Sequence, residues 1–296
     1  MNKILIILLM LSSTISEQTK TEFDIVLAGG RVIDPETKLD AIRNVGIIDN
    51  RISMISTEPL IGKEVINVTG LVVAPGFIDL HVHGRSNIEQ EYQLHDGVTT
   101  ALELEWGIEF LKEWYASRQH KARINYGASV SWPLERFKAM EKYQSAVKEL
   151  YQIALQGTSD IGMLTNTILP ASAESQTRAE MDQTMNNIKN SLAEGGIGIG
   201  VPIGYLPKTK AAEMFRVFQL AGEINALIYT HVREPNIISI QEVIADAALT
   251  GAPLHIVHIN SMSLGQIQFA LDMVQAAKNK GLDISTELYT YTAGST

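Results

Sequence analysis

The chain contains no cysteine. Disulfides are therefore excluded, as are thiolate metal ligands, so any metal site must be built from imidazole and carboxylate. No apolar run approaches the ~20 residues that a helix needs to span a bilayer. The N-terminal stretch Ile4 to Leu11 has eight. A Lys/Arg-rich run is also lacking. With 24 basic against 33 acidic residues the net charge is −9, which argues against a nucleic-acid partner.

Hydrophobic residues make up 45% of the 296 positions and charged residues 19%. That composition supplies a large core and excludes a disordered chain. The length suits one α/β barrel or two smaller domains. The opening, "MNKILIILLMLSSTISEQTK", has a basic Lys3, the apolar stretch Ile4 to Leu11, and small residues at Thr14 and Ser16. This is the pattern of a secretory signal peptide over residues 1–16, cut near Ser16. It predicts a secreted or periplasmic protein with no membrane attachment after cleavage, compatible with the lack of cysteine.

Residues 23–77 hold short β-type runs at Ile25 to Leu27, Arg31 to Ile33, Val45 to Ile48, Arg51 to Ile55 and Val65 to Val68. Gly29-Gly30, Asp34-Pro35 and Asp49-Asn50 punctuate them. No helical period occurs there, so 17–74 is expected to form a small, incomplete β-sandwich module. After Pro75-Gly76 strands and helices alternate. Strands are expected at 77–83, 97–105, 124–131, 196–203, 225–232, 253–260 and 283–291. Helical periodicity covers 134–155 and also 263–281, where Ser263 is a candidate N-cap and Gly281 a candidate C-cap. Residues 156–178, rich in Gly, Ser, Thr and Pro, are expected to form a long loop or insertion. The fold class is thus α/β: a (β/α)8 TIM-like barrel over 75–296 with about seven strands present, preceded by a small N-terminal β-module. A closed barrel needs an eighth strand, so the chain is expected to be a fragment or a truncated product.

In such a barrel the reactive side chains stand at the C-terminal strand ends. Four of the seven histidines are expected there: His81 and His83 in "FIDLHVHG", His231 in "LIYTHVRE" and His258 in "LHIVHINS". Residues two apart on a strand share a face, so His81 and His83 aim together. One such histidine alone would read as structural, but four at strand ends point to a metal centre. His95, His120 and His255 are expected to be structural or solvated, His255 at the opposite end of its strand. In "GVTTALELEWG", Glu103 and Glu105 share a face. Glu105 lies nearer the strand end and is the preferred bridge between two metals, the other carboxylate being free to pair with an arginine. Strand four, "GIGIGVPIGYLP", has no lysine to serve as a carbamylated bridge unless Lys208 or Lys210 folds back.

The β-module followed by "GFIDLHVHG", "GVTTALELE", "YTHVRE", "HIVHINS" and "ELYTYTAGST" resembles the metal-dependent amidohydrolase superfamily, in its D-aminoacylase (N-acyl-D-amino-acid deacylase) branch, from about residue 22 to the end. The resemblance implies Zn2+, as one or two divalent ions, with His81 and His83 on one and His231 and His258 on the other. The branch carries a cysteine after the "GVTT" strand, and here Glu105 would substitute for it. Tyr289 would lie near the substrate or the oxyanion. Arg233 would face a substrate carboxylate or pair with Glu234. The implied reaction is hydrolysis of a linear, non-peptide amide in a small N-acyl amino acid. The general-base aspartate of the family would follow residue 296, so this form is expected to be inactive or feeble. The alternatives are a cyclic-amide hydrolase of dihydroorotase or hydantoinase type, since specificity lies in loops, and a non-catalytic remnant.

Overall fold

The computed structural model describes residues 21–156, Asn166 and 174–289. The expected signal peptide and most of the 156–178 loop lie outside the described residues. Two compact units divide between Pro75 and Gly76.

In the first unit β1 (Glu22–Asp34) is central. β2 (Leu39–Ile48) pairs with it antiparallel, β3 (Arg51–Ser56) continues beyond β2, and β4 (Ile61–Asn67) and the short β5 (Val72–Val73) pair with β1 in parallel. The Asp49-Asn50 turn has φ of 49° and 61°, the paired left-handed geometry of a two-residue hairpin loop. Gly29-Gly30 does not separate two strands as expected. Gly29 adopts φ 76° in a bulge, its N–H donates to Asn44 Oδ1 at 3.0 Å, and β1 runs on through it. Phe23, Val26, Val32 and Val45 form the buried side of this sheet.

The second unit holds seven parallel strands, each paired with its neighbour in sequence: β6 (Phe77–Asp79), β7 (Val98–Ile108), β8 (Asn125–Ser131), β9 (Ile199–Pro202), β10 (Ile228–His231), β11 (Leu254–Ile256) and β12 (Ile284–Thr286). Helices connect them, beginning with α1 (Asn87–His95) and α2 (Leu111–Arg118), as parallel strands require crossovers. This is the barrel-type sheet expected, with β6 and β12 at its two edges. Its core stacks Val130, Ile199, Val201, Ile228, Leu254 and Ile256 of the strands against helix residues such as Ile188, Val217, Phe218 and Ala247. Near-continuous apolar strands of this kind are buried on both faces.

Two helices depart from expectation. The 134–155 period is shared by α3 (Trp132–Ala139) and α4 (Gln144–Leu155), with a 3-10 turn at Glu141–Tyr143 between them. The break is at Met140, which is extended (φ −99°, ψ 116°) and buried beneath Arg136, whose Nη1 lies 3.5 Å from the Met140 sulfur. Arg136 is itself buried and donates through Nε to Glu213 Oε1 at 2.6 Å, on α6 (Ala211–Ile224), counting α5 as Arg178–Ala193. Ser263 caps no long helix. It ends α8 (Ile259–Ser263) and donates to the Ile259 carbonyl, while α9 begins at Ile267 and runs to Asn279. Gly281 follows that helix with φ 88°, the left-handed C-terminal position expected of it.

Candidate metal centre

The strand ends bring the predicted histidines together. β6 is shorter than expected and stops at Asp79, but His81 is held alongside β7 by an antiparallel bridge to Glu103. His83 follows it, His231 ends β10, and His258 lies two residues beyond β11. β7 slips register between Glu103 and Ile108, a bulge that carries Glu103 and Glu105 into the cluster.

Glu105 is the hub and is almost wholly buried, at 1% exposure. Its Oε1 lies 2.7 Å from His231 Nδ1 and 3.4 Å from His258 Nε2. Its Oε2 lies 3.1 Å from the Nε2 atoms of both His81 and His83. Each carboxylate oxygen thus serves one pair of imidazoles. His231 Nδ1 and His258 Nε2 are 3.1 Å apart. His81, Glu105 and His258 each offer a ligand atom, and these atoms lie within 4.8 Å of one another.

Burial opposes the charge on Glu105, yet the four imidazoles hold its carboxyl well below the usual range. The converse holds for the rings. Burial disfavours their charging, but Glu105 with Glu287 lifts His81 to about 10, and Glu103 with Glu105 lifts His83 to about 9. Buried anionic carboxylate surrounded by imidazole demands positive charge, and among protein groups alone protons must provide it. Borderline divalent ions such as zinc favour this donor set, so the residues fit a metal.

Around the hub stands a layer that sequence reasoning largely missed. Glu103 Oε1 lies 3.2 Å from His83 Nδ1, and its Oε2 is 3.5 Å from Arg85 Nε, realising the carboxylate–arginine pairing foreseen for one of the two glutamates. Arg85 also donates to both Glu109 oxygens at 2.9 and 2.7 Å, and to the Gly107 carbonyl. Glu287, just past β12, contacts His81 Nδ1 with Oε1 and His255 Nε2, at 3.2 Å, with Oε2. His255 is therefore neither solvated nor remote from the cluster, as expected from its place on β11. It is buried, and the short strand lets it reach Glu287. Glu287 comes to a strand end only because β12 stops at Thr286, whereas the expected strand over 283–291 leaves it mid-strand. Tyr205, after β9, packs its ring 5.0 Å from that of His231, and burial beside Glu105 pushes its phenol up to about 12. Gly204 makes room for His231, since a Cβ there would lie 2.3 Å from the imidazole Cδ2.

Two predicted substrate contacts fare differently. Tyr289 is placed by its carbonyl, which accepts from Asn260 Nδ2 at 3.3 Å. Arg233 is not presented to a substrate, nor does it pair with Glu234. Its Nε and Nη2 donate to Glu242 at 3.0 and 2.6 Å, and its Nη1 donates to the carbonyls of Pro207 and Thr209, both at 2.7 Å. Glu242 lies on α7 (Ile237–Thr250), directly after the His231 loop, and claims the guanidinium. Arg233→Met is expected to lower stability to urea by about 1–3 kcal/mol, the cost of unmet polar partners, while zinc affinity of the folded chain stays unchanged. A large loss of affinity without loss of stability would return Arg233 to the site.

A parallel barrel-type sheet whose strand ends gather imidazoles around a buried carboxylate defines a barrel protein with a candidate divalent-metal centre. The model of the amidohydrolase family matches residues 64–291, and the chain belongs to that family. D-aminoacylase of Alcaligenes xylosoxydans xylosoxydans is 25% identical over 297 aligned residues, covering 95% of this chain and 60% of that protein. N-acyl-D-glutamate deacylase of the same organism is 26% identical over 298, covering 93% and 58%. Among solved structures, N-acyl-D-glutamate deacylase of Bordetella bronchiseptica, complexed with zinc and a phosphonate mimic of the tetrahedral intermediate, superposes with a TM-score of 0.73 at 20% identity, over 92% of this chain and 59% of that one. That likeness speaks to the fold. The chain spans about 60% of the length of the curated relatives it matches.

Proposed function

We propose that the protein is a metal-dependent hydrolase of a linear amide in a small N-acyl-D-amino acid, using one or two divalent ions, zinc first. The observation that carries this reading is Glu105, whose two oxygens each meet one pair of imidazoles within 3.4 Å. On this reading His81 and His83 would hold one ion and His231 and His258 the other, with Glu105 as the carboxylate common to both pairs. A bound ion supplies a Lewis acid for the amide carbonyl and lowers the pKa of its water from about 15.7 towards about 7. The chain's residues do the rest. Glu103 and Glu287 orient imidazoles, and Tyr205 keeps its phenol proton beside His231. The relatives named above, which span most of this chain, support a linear amide over a cyclic one.

The test is ligand binding by the zinc-loaded chain, which needs no turnover. Phosphonate analogues of N-acyl-D-amino acids should bind only with zinc present, and more tightly than dihydroorotate or hydantoin. Failure to take up zinc, or preference for the cyclic compounds, would overturn the proposal. The N-terminal pattern supports export as part of the same reading. Protein recovered from the periplasm or medium is expected to begin just after Ser16, and N-terminal sequencing checks it.

A further inference from the structure

We infer that Glu287 is a positioning residue of the metal centre: its carboxylate, propped by His255, pins Nδ1 of His81 so that Nε2 is the nitrogen offered to the ion. The inference rests on the metal-centre reading above.

An imidazole presents two nitrogens, and which one can ligate is set by what the other is bonded to. His81 Nδ1 contacts Glu287 Oε1, while its Nε2 lies 3.1 Å from Glu105 Oε2. An ionised carboxylate can only accept. With carboxylates facing both ring nitrogens, both hold protons; a cation held by Nε2 and Glu105 would replace the Nε2 proton, and Glu287 would keep the other proton on Nδ1. His83 provides an independent instance of the same arrangement. Its Nδ1 lies 3.2 Å from Glu103 Oε1, and its Nε2 is 3.1 Å from the same Glu105 oxygen. Both rings of the His-x-His pair are thus held from behind by a carboxylate and aimed at one point.

Glu287 is itself held on three sides. Its Oε2 lies 3.2 Å from His255 Nε2, and the other ring nitrogen of His255 is 2.8 Å from Ser285 Oγ. Its Oε1 accepts from the backbone N–H of His258 at 3.4 Å, and its carbonyl accepts from Ile259 N–H at 3.0 Å. One carboxylate therefore ties together two candidate ligands on different strands, His81 through its ring and His258 through its backbone. A group with only a packing role would not need the acceptor geometry on both sides.

The test uses the full chain and zinc titrated against a competing chelator, with wild type, Glu287→Gln, Glu287→Asp and Glu103→Gln compared. Long-range 15N spectra of the histidines in the zinc-loaded protein give the tautomers. Glu287→Gln is expected to lose roughly 10–100-fold in zinc affinity, the range found for groups that orient metal ligands, and Glu287→Asp to recover much of it. In the wild type His81 should carry its proton on Nδ1 and bind through Nε2, and Glu287→Gln should blur that preference while His83 keeps its own. Glu103→Gln should do the reverse. Wild-type affinity in a folded Glu287→Gln chain, or zinc bound to Nδ1 of His81 in the wild type, would overturn the inference. Should Glu287→Gln fail to fold, the wild-type tautomer decides alone. If the wild type takes up no zinc, the metal-centre reading falls and this role with it, whereas wild-type uptake with undiminished uptake by Glu287→Gln removes only the role of Glu287.

Discussion

Glu105→Gln is expected to leave a folded chain that no longer holds a divalent ion at the centre. The substitution keeps the volume of the side chain but removes the charge that four imidazoles face. Its loss should exceed the roughly 10–100-fold typical of an orienting partner, because an anionic donor shared by both pairs of rings disappears. Folding should survive, since the neutral amide is easier to bury than a carboxylate. Zinc titration followed by thermal melts with and without metal checks both halves. Retained affinity would mean that the imidazoles bind without a shared anion.

The second large effect is on pH. In the metal-free chain His81 is raised from 6.5 to about 10 and His83 from 6.5 to about 9. Both rings must give up a proton before ligating, so zinc and protons compete. Each displaced proton is worth about tenfold in apparent affinity per pH unit, hence up to about 100-fold per unit for two, between the ordinary imidazole value and the raised ones. Titration in buffers of different ionisation enthalpy should reveal the released protons, and pH-independent affinity would contradict the scheme. For the metal-free fold the sign is opposite. A raised imidazole contributes stability that is complete below its unfolded value of 6.5 and is lost as pH rises through about 9 and about 10. Glu287, whose imidazole partners outweigh burial and bring it from 4.5 down to about 2, contributes above 4.5 and loses that contribution as pH falls through about 2. Melts in chelator should therefore show this part of the stability whole between about 4.5 and 6.5, falling progressively above 6.5 and spent once pH has passed about 9 and about 10.

The strands and their order were legible because parallel strands buried on both faces are written as apolar runs between helical segments. The four clustered histidines and Glu105 were legible because strand-end position and same-face spacing are local properties. What failed depends on partners distant in sequence. Met140 ends a helix whose period continues through it, because Arg136 is drawn to Glu213 across 77 residues. Arg233 had an acidic neighbour in Glu234, and nothing in the local pattern showed that Glu242 on the next helix would take both ends of its guanidinium. Glu287 and His255 gained their meaning from His81, 206 residues away from Glu287. Gly29-Gly30 read as a break because bulge and turn use the same residue type.

That 206-residue contact has a consequence for assembly. His81 follows β6 and Glu287 follows β12, the two edges of the seven-stranded sheet. The imidazoles around Glu105 come from the ends of β6, β10 and β11, and Glu287 after β12 props one of them, so an ion held there would join the first edge strand to the far side of the sheet. A site that exists only when distant segments have met binds the native state alone, adding about 2.7 kcal/mol when free ion reaches 100 times its dissociation constant. Pairing over such separations is slow to form. Metal uptake during refolding should then be a late event, and its rate a direct clock for completion of the sheet.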